Sequence, residues 1–129
     1  MASELRVNTL KDASGNNSVG MSYVAEGSAK MWTATNQSTG SIKDSFNTAS
    51  ITDNSTGNFT NTATSALDNA NYSVAGTNVG DTQVSYGINV AASGVANATT
   101  AHRYTCINTI TDGLLDAVTA STIVHGDLA

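Results

Sequence analysis

The clearest structural signal in the chain is the stretch Gln83-Val84-Ser85-Tyr86-Gly87-Ile88-Asn89-Val90. Its apolar side chains fall at every second position, and polar residues or glycine separate them. Because successive side chains of a β-strand point to opposite faces, this spacing predicts a strand with one face in a hydrophobic core. The stretch therefore indicates a β protein.

The same alternation continues on the C-terminal side. Residues 103–110 place Tyr104 and Cys106 on one face, and residues 118–125 place Val118, Ala120, Thr122 and Val124 on one face. Shorter strands are predicted at residues 5–10, 29–34, 42–46, around 51, and at 59–63 and 71–74. Residues 53–58 are rich in Asn, Asp and Gly and predict a β-hairpin loop. Residues 112–117 carry the only helical pattern.

Short strands at this spacing predict an all-β fold, namely a small antiparallel β-sandwich or barrel-like knob. The pattern divides the chain into two parts. Residues 1–27 contain one short predicted strand and segments rich in Gly, Ser and Asn, which is typical of an N-terminal arm or attachment segment. Residues 28–129 carry most of the alternation and are predicted to form the β-rich knob domain.

The composition predicts a thin core. The chain has 19 Thr, 15 Ser and 14 Asn, whereas Leu, Ile, Val and Phe together number only 24 of 129 residues. Such a low apolar fraction indicates disorder when the net charge is high, but here the net charge is only −5. Thr and Val also favour strands. We therefore expect an ordered β domain that gains stability by burying surface between subunits.

Several classes of protein are disfavoured. Cys106 is the only cysteine, so no intrachain disulfide is possible, and a buried small hydrophobe is the expected role. The first 25 residues contain charges and no continuous apolar run, so no signal peptide is predicted. No stretch has the length and apolarity of a membrane span. The acidic balance without a Lys/Arg cluster argues against nucleic-acid binding.

Four segments, in this order, resemble a known family. They are the opening Glu4-Leu5-Arg6-Val7-Asn8-Thr9-Leu10-Lys11-Asp12-Ala13-Ser14-Gly15-Asn16, the run Gly27-Ser28-Ala29-Lys30-Met31-Trp32 with Ile42-Lys43-Asp44-Ser45-Phe46-Asn47, the run Ser50-Ile51-Thr52-Asp53-Asn54-Ser55-Thr56-Gly57-Asn58-Phe59-Thr60 with Asn69-Ala70-Asn71-Tyr72-Ser73-Val74, and the ending His125-Gly126-Asp127-Leu128-Ala129. Together they resemble tail-fibre-like virion structural proteins of marine bacteriophages, including phages of cyanobacteria.

The resemblance implies a β-structured appendage of the phage particle, homotrimeric, located on the virion at the tail or the head, and without catalytic residues. Its partners would be other copies of the chain, other virion proteins bound through the arm, and a host surface glycan or receptor. Residues 76–124 resemble the family only in their strand-like residue pattern, and a receptor-facing surface is expected there. The tentative partner-binding residues are Leu5, Val7 and Leu10 in the arm, and Gly80, Asp81 and Asn97 in exposed loops.

Signals of catalysis are poor. The sequence has no Gly-x-Ser-x-Gly motif, no phosphate-binding glycine loop and no His or Cys spacing typical of a metal site. We therefore predict no enzyme, no cofactor and no metal.

His102 is expected to be an exposed residue at a strand end, and His125 to pack at a subunit interface, with metal binding on a trimer axis as the alternative. The aspartates fall mostly in turns.

Three functions are considered. The first is a fibre or knob that adheres to the host surface through many weak hydroxyl and amide contacts. The second is a capsid decoration (cement) protein that binds the phage head through the arm. A distant third is a polysaccharide depolymerase, which would use a pair of carboxylates.

Trp32, the only tryptophan, is expected to anchor the core or an interface, and a sugar-stacking role is the alternative.

Overall fold

The computed structural model describes residues 5–80, 86–89 and 96–129. It confirms the predicted fold class: the protein is a small all-β domain in which antiparallel sheets pack as a sandwich. The elements are β1 (Thr9–Lys11), β2 (Ser18–Gly20), α1 (Met21–Gly27), β3 (Met31–Asn36), β4 (Ser41–Phe46), β5 (Thr48–Ser55), β6 (Asn58–Ala63), β7 (Ser73–Val79), β8 (Tyr86–Asn89), β9 (Ala101–Asn108) and β10 (Thr119–His125).

Two four-stranded antiparallel sheets form the sandwich. One has the strand order β4-β3-β10-β7, here called the first sheet, and the other has the order β5-β6-β9-β8, the second sheet. The N-terminal segment lies outside both sheets. It consists of the two-stranded ribbon β1-β2 and the helix α1, and the sandwich begins with β3. The division into an attachment arm and a knob at residue 27 stays a prediction about function.

A single residue connects β4 of the first sheet to β5 of the second. Asn47 lies between β4 and β5 with φ of 53°, a left-handed conformation that asparagine tolerates better than most residues. Its side-chain amide donates to the carbonyl oxygens of Lys30 (3.0 Å) and Ser65 (3.1 Å). Its carboxamide oxygen accepts from the backbone N–H of Ser65 at 2.7 Å. Asn47 thus fixes the corner at which the chain leaves the first sheet.

The hairpin predicted at residues 53–58 is confirmed, although its strands extend further than expected. β5 continues to Ser55, β6 begins at Asn58, and the turn is reduced to two residues. Gly57 has φ of +65°, and a Cβ there would lie 2.7 Å from the carbonyl oxygen of Cys106. A glycine is therefore required both by the turn and by the close approach of the neighbouring backbone.

The short helical pattern at residues 112–117 does not form a helix. That segment is irregular, and Asp112 has φ of 55°. Backbone hydrogen bonds hold it against the sandwich, from the Leu115 N–H to the Cys106 carbonyl (3.1 Å) and from the Gln37 N–H to the Ala117 carbonyl (3.0 Å). These tertiary contacts override a weak local helix propensity. The helix in the described part of the chain is α1, which the sequence pattern did not indicate.

The interior consists of two apolar clusters. One contains Phe59, Tyr104, Cys106, Ala117 and Ala120, with Ile88 packed against it. The other contains Met31, Leu67, Tyr72 and Val124, with Ala63 and Val74 packed against it. The predicted burial of Cys106 is confirmed, and burial raises the pKa of its thiol, which keeps it protonated and unreactive.

A polar layer separates the two clusters. Thr33 and Thr122 of the first sheet lie between Met31 and Val124 on one side and Thr35 and Ala120 on the other, and all six residues are buried. Across the interior, the second sheet contributes Asn61 and His102, which pair with each other in register. The thin core predicted from composition therefore takes a specific form, in which hydrogen-bonded polar side chains fill its centre.

The predicted exposure of His102 is wrong. The imidazole is only 2% exposed and belongs to the polar layer. His102 Nε2 lies 3.1 Å from Thr122 Oγ1 and 3.3 Å from Asn61 Nδ2, and Asn61 Nδ2 donates to Thr122 Oγ1 at 2.9 Å. The alternation of β9 explains the position, because the inward face contains His102, Tyr104 and Cys106.

Tyr72 ties a loop to the sandwich, which gives a testable effect. Its hydroxyl lies 2.9 Å from the carbonyl oxygens of both Ala98 and Ala101. We expect Tyr72→Phe to lower the free energy of unfolding by about 1 kcal/mol, because the bond from the hydroxyl to these carbonyls is lost, although each carbonyl keeps a backbone N–H donor and the ring stays packed. Urea unfolding would measure the loss. Tyr23→Phe is the matched control, since the Tyr23 side chain is 76% exposed, and it should leave the midpoint unchanged.

Candidate interaction surfaces

The arm exposes an unusual amount of apolar surface. No residue from 5 to 28 is buried. The predicted attachment residues Leu5, Val7 and Leu10 are 79%, 36% and 41% exposed, respectively. Val19, Tyr23 and Val24 are exposed in the same segment. Large apolar side chains that cluster at a surface are typical of a region that contacts a partner.

The local structure of the arm has little support from the rest of the described chain. Leu10 and Val19 pair directly across the β1-β2 ribbon, so their side chains share one face of it. An isolated two-stranded ribbon is marginally stable in water unless its apolar face is covered. The helix α1 has seven residues, no side-chain N-cap and no buried residue, and a free helix of that length is unstable. Among the described residues, the arm therefore lacks the packing that would stabilise it.

A second apolar surface lies on the outer face of the first sheet. Burial alternates along β3, where Met31, Thr33 and Thr35 are buried and Trp32 and Ala34 are only half-buried. The strand register places Phe46, Trp32, Ile123 and Ala75 in one row across the four strands. The expectation that Trp32 anchors the core is therefore wrong, because its side chain lies on the face opposite the core. Its expected role as an interface anchor stays a prediction.

This outer face contains a groove of about 280 Å³. We call it the Trp32 groove. Trp32 and Ile123 are its large side chains, and the small residues Ala34, Ala75 and Ser121 leave space between them. The next row across the sheet is more polar, since Asp44, Ala34, Ser121 and Thr77 align in register there. The groove is thus an apolar depression with a polar margin, large enough to hold one bulky side chain.

A polar pocket lies at the end of the same sheet. Its volume is about 390 Å³, and its lining includes Glu26 of α1, Asn71, His125 and Asp127. His125 is half-buried here. Over residues 5–80, 86–89 and 96–129, no group of three or more His, Cys, Asp or Glu side chains is placed to hold a metal ion. The pocket could accept hydrogen bonds from hydroxyl groups of a ligand.

The polar layer of the core is a poor candidate for chemistry. Burial lowers the pKa of His102 to about 4, so the imidazole is neutral near pH 7 and has the right form for a base. However, only 2% of it is exposed, and its neighbours Asn61 and Thr122 are buried as well. A substrate would have to open the sandwich to reach it. The network is therefore assigned to the structure of the interior.

The predicted loop residues do not form one site among the described residues. Gly80 directly follows β7, whereas Asn97 lies beside Ala98, whose carbonyl accepts from Tyr72 at the opposite end of β7. Both Gly80 and Asn97 are half-buried. Asp81 lies outside the described residues, as does half of the predicted 83–90 strand, of which the structure describes β8.

The comparisons leave the function open. No protein-family model, curated protein or solved structure matches this chain. Within the described residues, no helix has the length and apolarity needed to cross a membrane.

Proposed function

We propose that this chain is a structural protein of a bacteriophage virion. In this proposal it forms a homotrimeric fibre or knob, tail-fibre-like or attached to the head, which adheres to the host surface. The sandwich serves as the knob, and the segment before it attaches the knob to the particle. The resemblance of the four sequence segments to virion proteins of marine phages motivates the assignment.

One observation carries the proposal. The arm contains several exposed large apolar side chains, contributes no buried residue between positions 5 and 28, and is joined to a sandwich that has its own interior. This combination suits an appendage protein, whose knob has its own interior and whose arm gains its structure on binding the particle. A freely diffusing monomer would expose the arm at a cost in solubility.

The surface of the knob suits adhesion by many weak contacts. Exposed Ser, Thr and Asn side chains offer hydroxyl and amide groups, which can bond to the hydroxyls of a surface glycan. Such contacts are individually weak, and several copies on one particle raise their combined strength through effective concentration. Hydrogen bonds between neutral groups are also weakened little by salt, whereas exposed ion pairs are screened. The proposed role is non-enzymatic.

Immunogold labelling of intact virions tests the proposal. Antibodies against the recombinant protein should label particles of the phage that encodes it. Label at the tail or at fibres supports adhesion, whereas label spread evenly over the head favours the capsid decoration (cement) role, for which the apolar arm is equally suited. Virions that stay unlabelled while the denatured particle proteins also lack the chain on a blot would overturn the assignment.

A further inference from the structure

The polar pocket lies where helix α1 meets the end of the first sheet. Glu26 of α1 lines one side of it, and Ser73 at the start of β7 and His125 at the end of β10 line the other. Ser73 and His125 pair in register, and their neighbours Val74 and Val124 belong to the interior. Because side chains alternate along a strand, Ser73 and His125 project side by side from the outer face. The pocket therefore collects polar side chains from the arm and from the sandwich.

The backbone beneath the pocket is held in place by the sandwich. The Asp127 carbonyl accepts from the Asp68 N–H at 2.9 Å. Gly126 packs so closely on Tyr72 that a Cβ at position 126 would lie 2.7 Å from the Tyr72 Cβ. Tyr72 is itself buried, and Asn71, which also lines the pocket, directly precedes it. The lining side chains thus project from a backbone that is already ordered, so a ligand loses little affinity to ordering the site.

The side chains that line the pocket have hydrogen-bonding groups to spare. No side-chain hydrogen bond joins Ser73 or His125 to another residue in the described part of the chain. The same holds there for the carboxylates of Glu26 and Asp127, and no lysine or arginine among the described residues lines the pocket. Asn47 shows the opposite state, since its side chain makes three hydrogen bonds within the fold. The pocket therefore offers unused donors and acceptors that face one space.

These groups suit a ligand that both donates and accepts hydrogen bonds. A carboxylate only accepts, whereas the Ser73 hydroxyl and the Asn71 amide can also donate. The hydroxyls of a neutral sugar use both kinds of group. A primary ammonium would leave the donors unused, and an acidic sugar would bring a negative charge next to Glu26 and Asp127. The volume of about 390 Å³ lies near the lower end of the roughly 300–1,000 Å³ usual for small-ligand sites, which favours a single sugar ring.

We propose that the polar pocket binds one neutral sugar residue of a glycan, with Glu26 and Asp127 accepting hydrogen bonds from its hydroxyls and Asn71 donating to it. This inference rests on the proposed adhesive function and names the site and the class of ligand. The two carboxylates set the specificity, because they repel sugars that carry an acidic group. One such site is weak, and several copies on one particle combine their sites.

Nuclear magnetic resonance on the isotope-labelled full chain tests the site. The probes are glucose, galactose and mannose, each compared with its own uronic acid at the same pH and ionic strength. At least one neutral sugar should shift the backbone amide resonances of Asn71, Ser73 and Asp127, with a dissociation constant on the order of 1–10 mM. The matching uronic acid should bind at least about tenfold more weakly, because its carboxylate meets those of the pocket.

Point variants connect the binding to the pocket. Asn71→Ala and Asp127→Asn should each weaken binding of the neutral sugar about tenfold, because each loses or weakens a hydrogen bond to it. Both positions are exposed, so the unfolding midpoint should stay unchanged. Asp53→Asn is the matched control, since Asp53 is an exposed aspartate on β5 of the second sheet, and it should bind the sugar like the unmodified chain.

A double variant tests the origin of the specificity. Glu26→Gln combined with Asp127→Asn removes both carboxylates and keeps the size of the side chains. The neutral sugar and its uronic acid should then bind with about equal affinity, so the tenfold preference of the unmodified chain should disappear. A merely structural role of these carboxylates would leave that preference unchanged.

The proposal is overturned if none of the three sugars shifts the pocket resonances, if Asp127→Asn binds as tightly as the unmodified chain, or if the uronic acids bind as well as the neutral sugars. A chain that labels virions but binds no sugar would remove this site and leave the virion assignment standing. Sugar binding as described, with no label on virions, would do the reverse.

Discussion

Replacing Phe59 with alanine is expected to lower the free energy of unfolding by about 4 kcal/mol. Phe59 is fully buried and stacks on Tyr104, with ring centroids 6.3 Å apart. The apolar cluster around Phe59 has few large side chains, so few of them can move into the cavity that the substitution leaves. The loss is comparable to the whole stability of many small domains, and Phe59→Ala should therefore be partly unfolded at 37 °C.

The chain provides its own control, because it contains only one other phenylalanine. Phe46 also lies in a strand but is 52% exposed. Phe46→Ala should cost less than about 1 kcal/mol when both variants are unfolded by urea in dilute solution. Equal losses in the two variants would contradict the assignment of the core to the cluster around Phe59.

The strands of this fold were largely predictable because alternation of apolar and polar residues is a local property. Residues 118–125 show this well: β10 buries Ala120, Thr122 and Val124, as their spacing predicts. The prediction for β9 also held for Tyr104 and Cys106. In both strands the pattern identifies one inward face without any knowledge of the strand's neighbours.

The position of Trp32 was not predictable in this way. Along β3 the alternation sets Met31, Thr33 and Thr35 against Trp32 and Ala34, and both faces contain apolar atoms. Residue size favours tryptophan as the core residue, yet the sheet buries the threonines, because their hydroxyls bond to Thr48 and Tyr104 across the interior. Such partners come from distant parts of the chain. The sequence pattern therefore missed the groove that Trp32 lines.

The candidate interaction surfaces were likewise only partly predictable from the sequence. The binding role of Leu5, Val7 and Leu10 stays a prediction, but their exposure was foreseeable, because apolar residues in a segment rich in Gly, Ser and Asn have no local partner. Tyr23 was not singled out, since α1 has neither an N-cap signal nor an apolar stripe. Its exposure is visible only once the sandwich is seen to form without it. A search for exposed aromatic residues near a predicted domain boundary would have found it.

Acidification from pH 6.5 to pH 4 is expected to lower the free energy of unfolding by about 3 kcal/mol through His102 alone. Burial lowers the pKa of His102 from 6.5 to about 4 in the folded protein. Between these values the unfolded chain binds a proton that the folded chain does not, so each pH unit favours unfolding by about 1.4 kcal/mol. Well above pH 6.5 the imidazole is neutral in the folded and the unfolded state, so its contribution to the free energy of unfolding no longer changes with pH.

Urea unfolding at several pH values between 7 and 4, on the unmodified chain and on His102→Gln, isolates this contribution. Carboxylates titrate in both proteins, so the difference between the two curves belongs to the imidazole. The difference in free energy of unfolding between the two proteins should shrink as the pH falls, because only the unmodified protein loses the contribution of the neutral imidazole. His125→Gln is the control, since His125 is the only other histidine and is half-buried. A His102→Gln curve parallel to that of the unmodified chain would mean that the imidazole takes up its proton as readily in the folded as in the unfolded state, and the polar layer would then have to accommodate a charge at low pH.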